Sequence, residues 1–69
     1  MYQIRYSHKR GLAPYLVIKD TREKAIEFVR MMTKVQGVTR MTVEHASGYW
    51  DGFPDYILEK LEETDDAAQ

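Results

Sequence analysis

From Tyr2 to Ser7 apolar and polar residues alternate, Tyr2-Gln3-Ile4-Arg5-Tyr6-Ser7, which is the period of a strand with one face on a core and the other in water. Tyr2, Ile4 and Tyr6 are predicted to face inward. His8-Lys9-Arg10-Gly11-Leu12-Ala13 breaks the alternation with potentially cationic residues and a glycine, after which Pro14-Tyr15-Leu16-Val17-Ile18-Lys19 resumes strand composition. The two segments predict a hairpin with an irregular basic tip. Pro14 has no amide hydrogen to donate, so it belongs at the start of the second strand or on an edge.

A helix follows. Asp20 or Thr21 can cap it, and Asp20 with Glu23 forms a variant of the capping box. Ala25, Phe28, Val29, Met32 and Val35 recur at helical spacing, while Glu23, Lys24, Glu27, Arg30 and Lys34 fall on the other side. Gly37 is suited to the left-handed residue that closes a helix, which sets the expected end near Gln36. The adjacent Met31 and Met32 are read as core packing rather than as an adaptable binding surface.

Val38 to Ala46 is β-branched and alternating and predicts a third strand, with Met41 and Val43 on one face and Arg40, Thr42 and Glu44 on the other. Ser47-Gly48-Tyr49-Trp50-Asp51-Gly52-Phe53 is read as a loop. Pro54 suits the first turn of a short closing helix carrying Ile57, Leu58 and Leu61, and from Glu62 onward the chain is read as frayed and acidic. The expectation is one α+β domain over residues 1–64 in the order ββαβα, followed by a disordered acidic tail over 65–69. Alternation of direction along the chain and the preference for antiparallel pairing give a three-stranded antiparallel sheet in the order 2-1-3. The long helix is expected to cover the Tyr2, Ile4, Leu16, Ile18, Met41 and Val43 face.

Composition narrows the class. A chain of 69 residues buries only about 60% of its unfolded surface, and without a cysteine it has neither a disulfide staple nor a thiolate site. That usage favours a reducing compartment, so the expected location is the cytoplasm. The longest apolar run, Tyr15 to Ile18, is far short of the roughly 20 residues that span a bilayer. Net charge is −1, yet residues 1–40 hold nine Lys or Arg against three Asp or Glu, and residues 41–69 one against eight. The halves therefore carry +6 and −7.

No constellation for catalysis is recognisable. His8 and His45 both end strands, but antiparallel ones, which places them at opposite ends of the sheet. With no cysteine, and no two histidines at i, i+4 on a helix to preform a metal site, no metal is expected. The chain contains no phosphate-binding glycine loop and no nucleophile elbow, so the expectation is a non-enzyme without a cofactor.

Two surfaces suggest binding instead. The stretch from Gly48 to Phe53 gathers the single tryptophan and two other aromatics between glycines, and Tyr and Trp dominate protein interfaces because they bury large rigid areas at low entropy cost. Tyr49, Trp50 and Phe53 are thus the candidate contacts for a protein partner, with core plugging by Trp50 and Phe53 as the competing reading. Trp50-Asp51-Gly52-Phe53-Pro54 resembles a W-D-G-aromatic-P stretch of bacterial and phage proteins, but it carries no chemistry that assigns a family. The leading expectation is a small regulatory or accessory protein, of the kind phages and mobile elements encode, that docks onto another protein. The alternative is nucleic-acid binding by a basic sheet face and hairpin tip, using Arg5, Lys9, Arg10, Tyr15, Lys19 and Arg40. Homodimerisation through an open edge, at the second or third strand, is a further expectation.

Overall fold

A computed structural model of the chain describes residues 1–11 and 14–63. Leu12 and Ala13 of the expected hairpin tip, and the expected tail with Thr64, lie outside the described residues. The elements are β1 (Tyr2–His8), β2 (Tyr15–Lys19), α1 (Arg22–Met32), β3 (Val38–His45), β4 (Gly48–Gly52) and α2 (Pro54–Glu63). They form a four-stranded sheet in the order β2-β1-β3-β4, with every neighbouring pair antiparallel. The expected 2-1-3 core of the sheet is present. A fourth strand replaces the expected loop, so the order is ββαββα rather than ββαβα.

The fourth strand forms because Ala46 and Ser47 turn the chain between His45 and Gly48, which pair across the hairpin. Neither turn residue has a positive φ, unlike the primed turns that favour Asn-Gly or Gly-X. His45 supports the turn instead: its Nδ1 accepts the Ser47 amide at 3.1 Å and lies 2.7 Å from the Ser47 hydroxyl. Its ring also stacks on Tyr2 at 3.9 Å between centroids. Gly48 and Gly52 are strand residues whose missing side chains make room for aromatics. A Cβ on Gly48 would stand 3.1 Å from the Trp50 ring, and one on Gly52 would stand 2.8 Å from the Tyr56 ring. Rings laid over strand glycines restore the apolar cover that glycine lacks.

Both helices pack on the same face of the sheet. Ile4, Ala25, Val29, Met41, Val43 and Ile57 are fully buried between the layers, with Tyr2, Ile26, Met32 and Leu61 almost so. Arg22 at the start of α1 donates to the carbonyls of Leu61 (3.1 Å) and Glu62 (3.2 Å) at the end of α2, while Met32 at the end of α1 shares a cleft with Pro54 at the start of α2. The helices therefore run in opposite directions. The guanidinium of Arg22 satisfies carbonyls that the last turn of α2 cannot pair internally, and Arg30 holds the Glu62 carboxylate at 3.0 Å. These contacts explain why α2 continues through Glu63 where fraying was expected from Glu62.

Two other boundaries differ from expectation. Thr21 caps α1 by accepting the Lys24 amide at 3.2 Å, and Asp20 pairs with the Lys24 ammonium instead of closing a capping box. The helix ends at Met32 because the Thr33 hydroxyl bonds back to the Arg30 carbonyl at 2.6 Å, and Lys34 and Val35 donate to Met31 and Met32 in tighter i to i−3 bonds. Val35, expected on the core stripe, is left 41% exposed, and Ile26 takes a buried place.

Gly37 does adopt a left-handed conformation, with φ +96°, but its task is to meet β1. The His8 ring lies against it: His8 Nδ1 accepts the Arg10 amide at 3.1 Å, which leaves the Nε2–H to donate to the Gln36 carbonyl at 2.8 Å. The Gly37 carbonyl in turn accepts the Lys9 amide at 2.8 Å. A Cβ on Gly37 would come within 2.5 Å of His8 Nε2. Gly37→Ala is expected to lower stability by about 1–3 kcal/mol through the strained φ and the displaced ring. Urea unfolding of Gly37→Ala, His8→Ala and the double variant checks this, and the double variant should recover only the steric share.

Candidate interaction surface

The helices leave the opposite face of the sheet uncovered, and the pairing registers place its residues in rows. One row runs Ile18, Gln3, Glu44, Tyr49 across the four strands, and the next runs Leu16, Arg5, Thr42, Asp51. Ser7 and Arg40 begin a third. Leu16, Ile18 and Tyr49 are 53%, 52% and 60% exposed. A groove of about 310 Å³ crosses this face between Arg5, Ser7, Pro14, Arg40, Thr42 and Tyr49.

The phase of β2 is the reverse of the expected one. Ile4 pairs with Val17, and Tyr6 with Tyr15, so Val17 enters the core side while Leu16 and Ile18 face outward. The run Tyr15-Leu16-Val17-Ile18 has no polar residue to mark its phase, and a one-residue slip exchanges the faces. Tyr15 consequently lies on the helix side, stacked on Tyr6 at 5.0 Å, and Lys19 lies over the Phe28 ring at 5.5 Å. Neither belongs to the bare face to which both had been assigned.

The two arginines that do lie on that face are matched by carboxylates from neighbouring strands. Arg5 lies 3.9 Å from Glu44. Arg40 grips Asp51 with two donors, Nε to Oδ1 at 2.8 Å and a terminal nitrogen to Oδ2. These hydrogen bonds hold the Asp51 carboxyl below the usual carboxylate range against the opposing effect of desolvation, with added help from the guanidinium charge, and raise Arg40 further. With Arg30 and Glu62, three cations of the basic half meet three anions of the acidic half. The split of +6 and −7 along the chain is thus partly neutralised inside the fold, and among the described residues the strand positions of the bare face carry two positive and two negative groups.

The three aromatics expected to act together are separated. Tyr49 faces outward on β4, whereas Trp50 points to the helix side, half-buried against the core and over Gly48. Phe53 is 63% exposed; its carbonyl accepts the Ile57 amide at 3.0 Å and opens α2. It lines a cleft with Val35, Val38 and Pro54 at the end of the domain. Lys9 and Arg10 are exposed at the turn after β1, apart from Arg5 and Arg40 on the sheet. Missed in the sequence were Leu16, Ile18, Glu44 and Asp51. The opposition of Arg5 and Glu44 was within reach of the expected 2-1-3 sheet, whereas that of Arg40 and Asp51 could have been found only with the fourth strand in place.

Among the described residues no group of three or more His, Cys, Asp or Glu is placed to hold a metal ion, and no helix is long and apolar enough to cross a membrane. Comparison with protein-family models, curated proteins and solved structures finds no match to this chain.

Two outcomes follow from these positions. Trp50→Ala is expected to cost about 2–4 kcal/mol, because it uncovers Gly48 and the core edge, while Tyr49→Ala should stay within about 1 kcal/mol; urea denaturation separates them. Folding lowers the Asp51 pKa, so the unfolded chain binds that proton more readily than the folded one. The stabilisation is complete above the pKa of the unfolded carboxylate, about pH 4, and is lost as pH falls through the folded value. Asp51→Asn should therefore flatten the acid limb of stability against pH.

Proposed function

We propose that this chain is a non-enzymatic docking domain that binds a protein partner through the bare face of its sheet. The observation that carries the reading is the exposure of Leu16, Ile18 and Tyr49 on a face that neither helix covers. Apolar groups flank a centre of fixed Arg–carboxylate pairs, which is the mixture of anchors and oriented polar groups that protein interfaces use. Tyr49 is kept from the original set of contacts, with Leu16 and Ile18 joining it, while Trp50 acts as the internal support of β4 and Phe53 belongs to the end cleft.

A second reading has its own support. Lys9 and Arg10 are both exposed beside the His8 clip, which holds the turn backbone by three hydrogen bonds. A nucleic acid would be met there by phosphate contacts rather than across the charge-balanced sheet.

One comparison separates the readings. Tagged full-length chain, a Leu16→Glu/Tyr49→Glu variant and a Lys9→Ala/Arg10→Ala variant, each shown folded by circular dichroism, are used to capture partners from the producing cells. The face variant should lose captured protein by more than about tenfold, the size of a hot-spot loss, and the tip variant should retain it. Loss confined to the tip variant, with binding to short nucleic acids that falls steeply with salt, would overturn the docking reading in favour of the second.

A further inference from the structure

We infer that the partner of the bare sheet face is a second copy of this chain, stacked face to face about a two-fold axis parallel to the strands. The inference rests on the docking reading above and names its partner. Such an axis, placed between β1 and β3, carries β2 of one copy over β4 of the other and β1 over β3. Residues in one row then meet each other's images.

The row from Ile18 to Tyr49 is complementary to itself under that operation. Ile18 and Tyr49 occupy opposite ends of one row, so the aliphatic edge of each copy falls on the aromatic edge of the other, twice. In the same row the Gln3 amide meets the Glu44 carboxylate, and in the next the Arg5 guanidinium meets the Thr42 hydroxyl while Leu16 falls on Asp51, whose carboxylate is turned to Arg40. Stacked sheets rotate by about 30° and lie ~10 Å apart. At ~7 Å from the axis that rotation displaces a residue by roughly 4 Å, within the reach of a tyrosine.

Charge argues against anionic occupants and is compatible with a second copy. The face holds Arg5 and Arg40 against Glu44 and Asp51, with each arginine paired to its carboxylate. A polyanion or an anionic lipid surface finds no net positive charge on this face to hold it, whereas an identical neutral face meets no like-charged excess. Four strands and three rows give a footprint of roughly 300 Å², below the ~800 Å² per partner of standard stable interfaces. The dimer is accordingly weak and reversible.

Sedimentation equilibrium of the full chain from about 5 µM to about 1 mM covers that affinity range. The mass is expected to rise from the 8.1 kDa of one chain towards twice that value. Ile18→Glu and Tyr49→Lys should each move the transition at least tenfold upward in concentration. Mixed in equal amounts they should associate again, because the carboxylate introduced at 18 falls on the ammonium introduced at 49 while the second contact stays native. A chain that remains at 8.1 kDa throughout overturns the second copy, and the capture experiment then decides the docking reading by itself. A dimer indifferent to both substitutions overturns face stacking in favour of edge pairing at β2 or β4. Variants that dissociate but do not recover on mixing overturn the two-fold alignment.

Discussion

One apolar layer holds this domain together, and it has room on one side of the sheet only. Ile4, Met41 and Val43 from the strands meet Ala25 and Val29 from α1 and Ile57 and Leu61 from α2, each with at most 1% of its surface exposed. A domain of this length is stabilised by roughly 3–10 kcal/mol in total. Truncating one fully buried aliphatic side chain costs about 2–5 kcal/mol, so a single such change removes much of the margin. Both helices are committed to that layer, and the other face of the sheet is bare as a direct consequence.

The contacts at the periphery orient this layer rather than enlarge it. Arg22 closes the end of α2 from the start of α1, which aligns the helices in opposite directions over the sheet. The His8 ring occupies the space left by Gly37 and ties the turn after β1 to the segment before β3. At the far end His45 stacks on Tyr2 and supports the turn into β4. The two histidines do lie at opposite ends of the sheet, and each serves the backbone beside it.

Much of the architecture was legible in the sequence: the alternation of β1 and β3, the stripe of α1, the Pro54 start of α2 and the 2-1-3 order of the first three strands. What escaped has physical reasons. Gly48 and Gly52 read as loop punctuation because a strand glycine weakens pairing, yet each is roofed by an aromatic, Trp50 or Tyr56, supplied from nearby in the chain. Ala46-Ser47 carries no hairpin signature because a histidine side chain supports that turn. The phase of β2 could not be read from four consecutive apolar residues, and it decides which side chains the bare face offers. The charge division along the chain was visible, but its meaning depended on Arg5, Arg30 and Arg40 finding Glu44, Glu62 and Asp51 across the fold.

The central claim is that the helices protect one face of the sheet and leave the other, with Leu16 and Ile18, open to solvent. Methyl NMR with a soluble paramagnetic gadolinium chelate, at low protein concentration, reads this residue by residue. The methyls of Leu16 and Ile18 should broaden strongly while those of Ile4, Val17, Val43, Ile57 and Leu61 stay sharp. Sharp Leu16 and Ile18 signals beside a broadened Val17 would mean the opposite strand phase and would contradict the account.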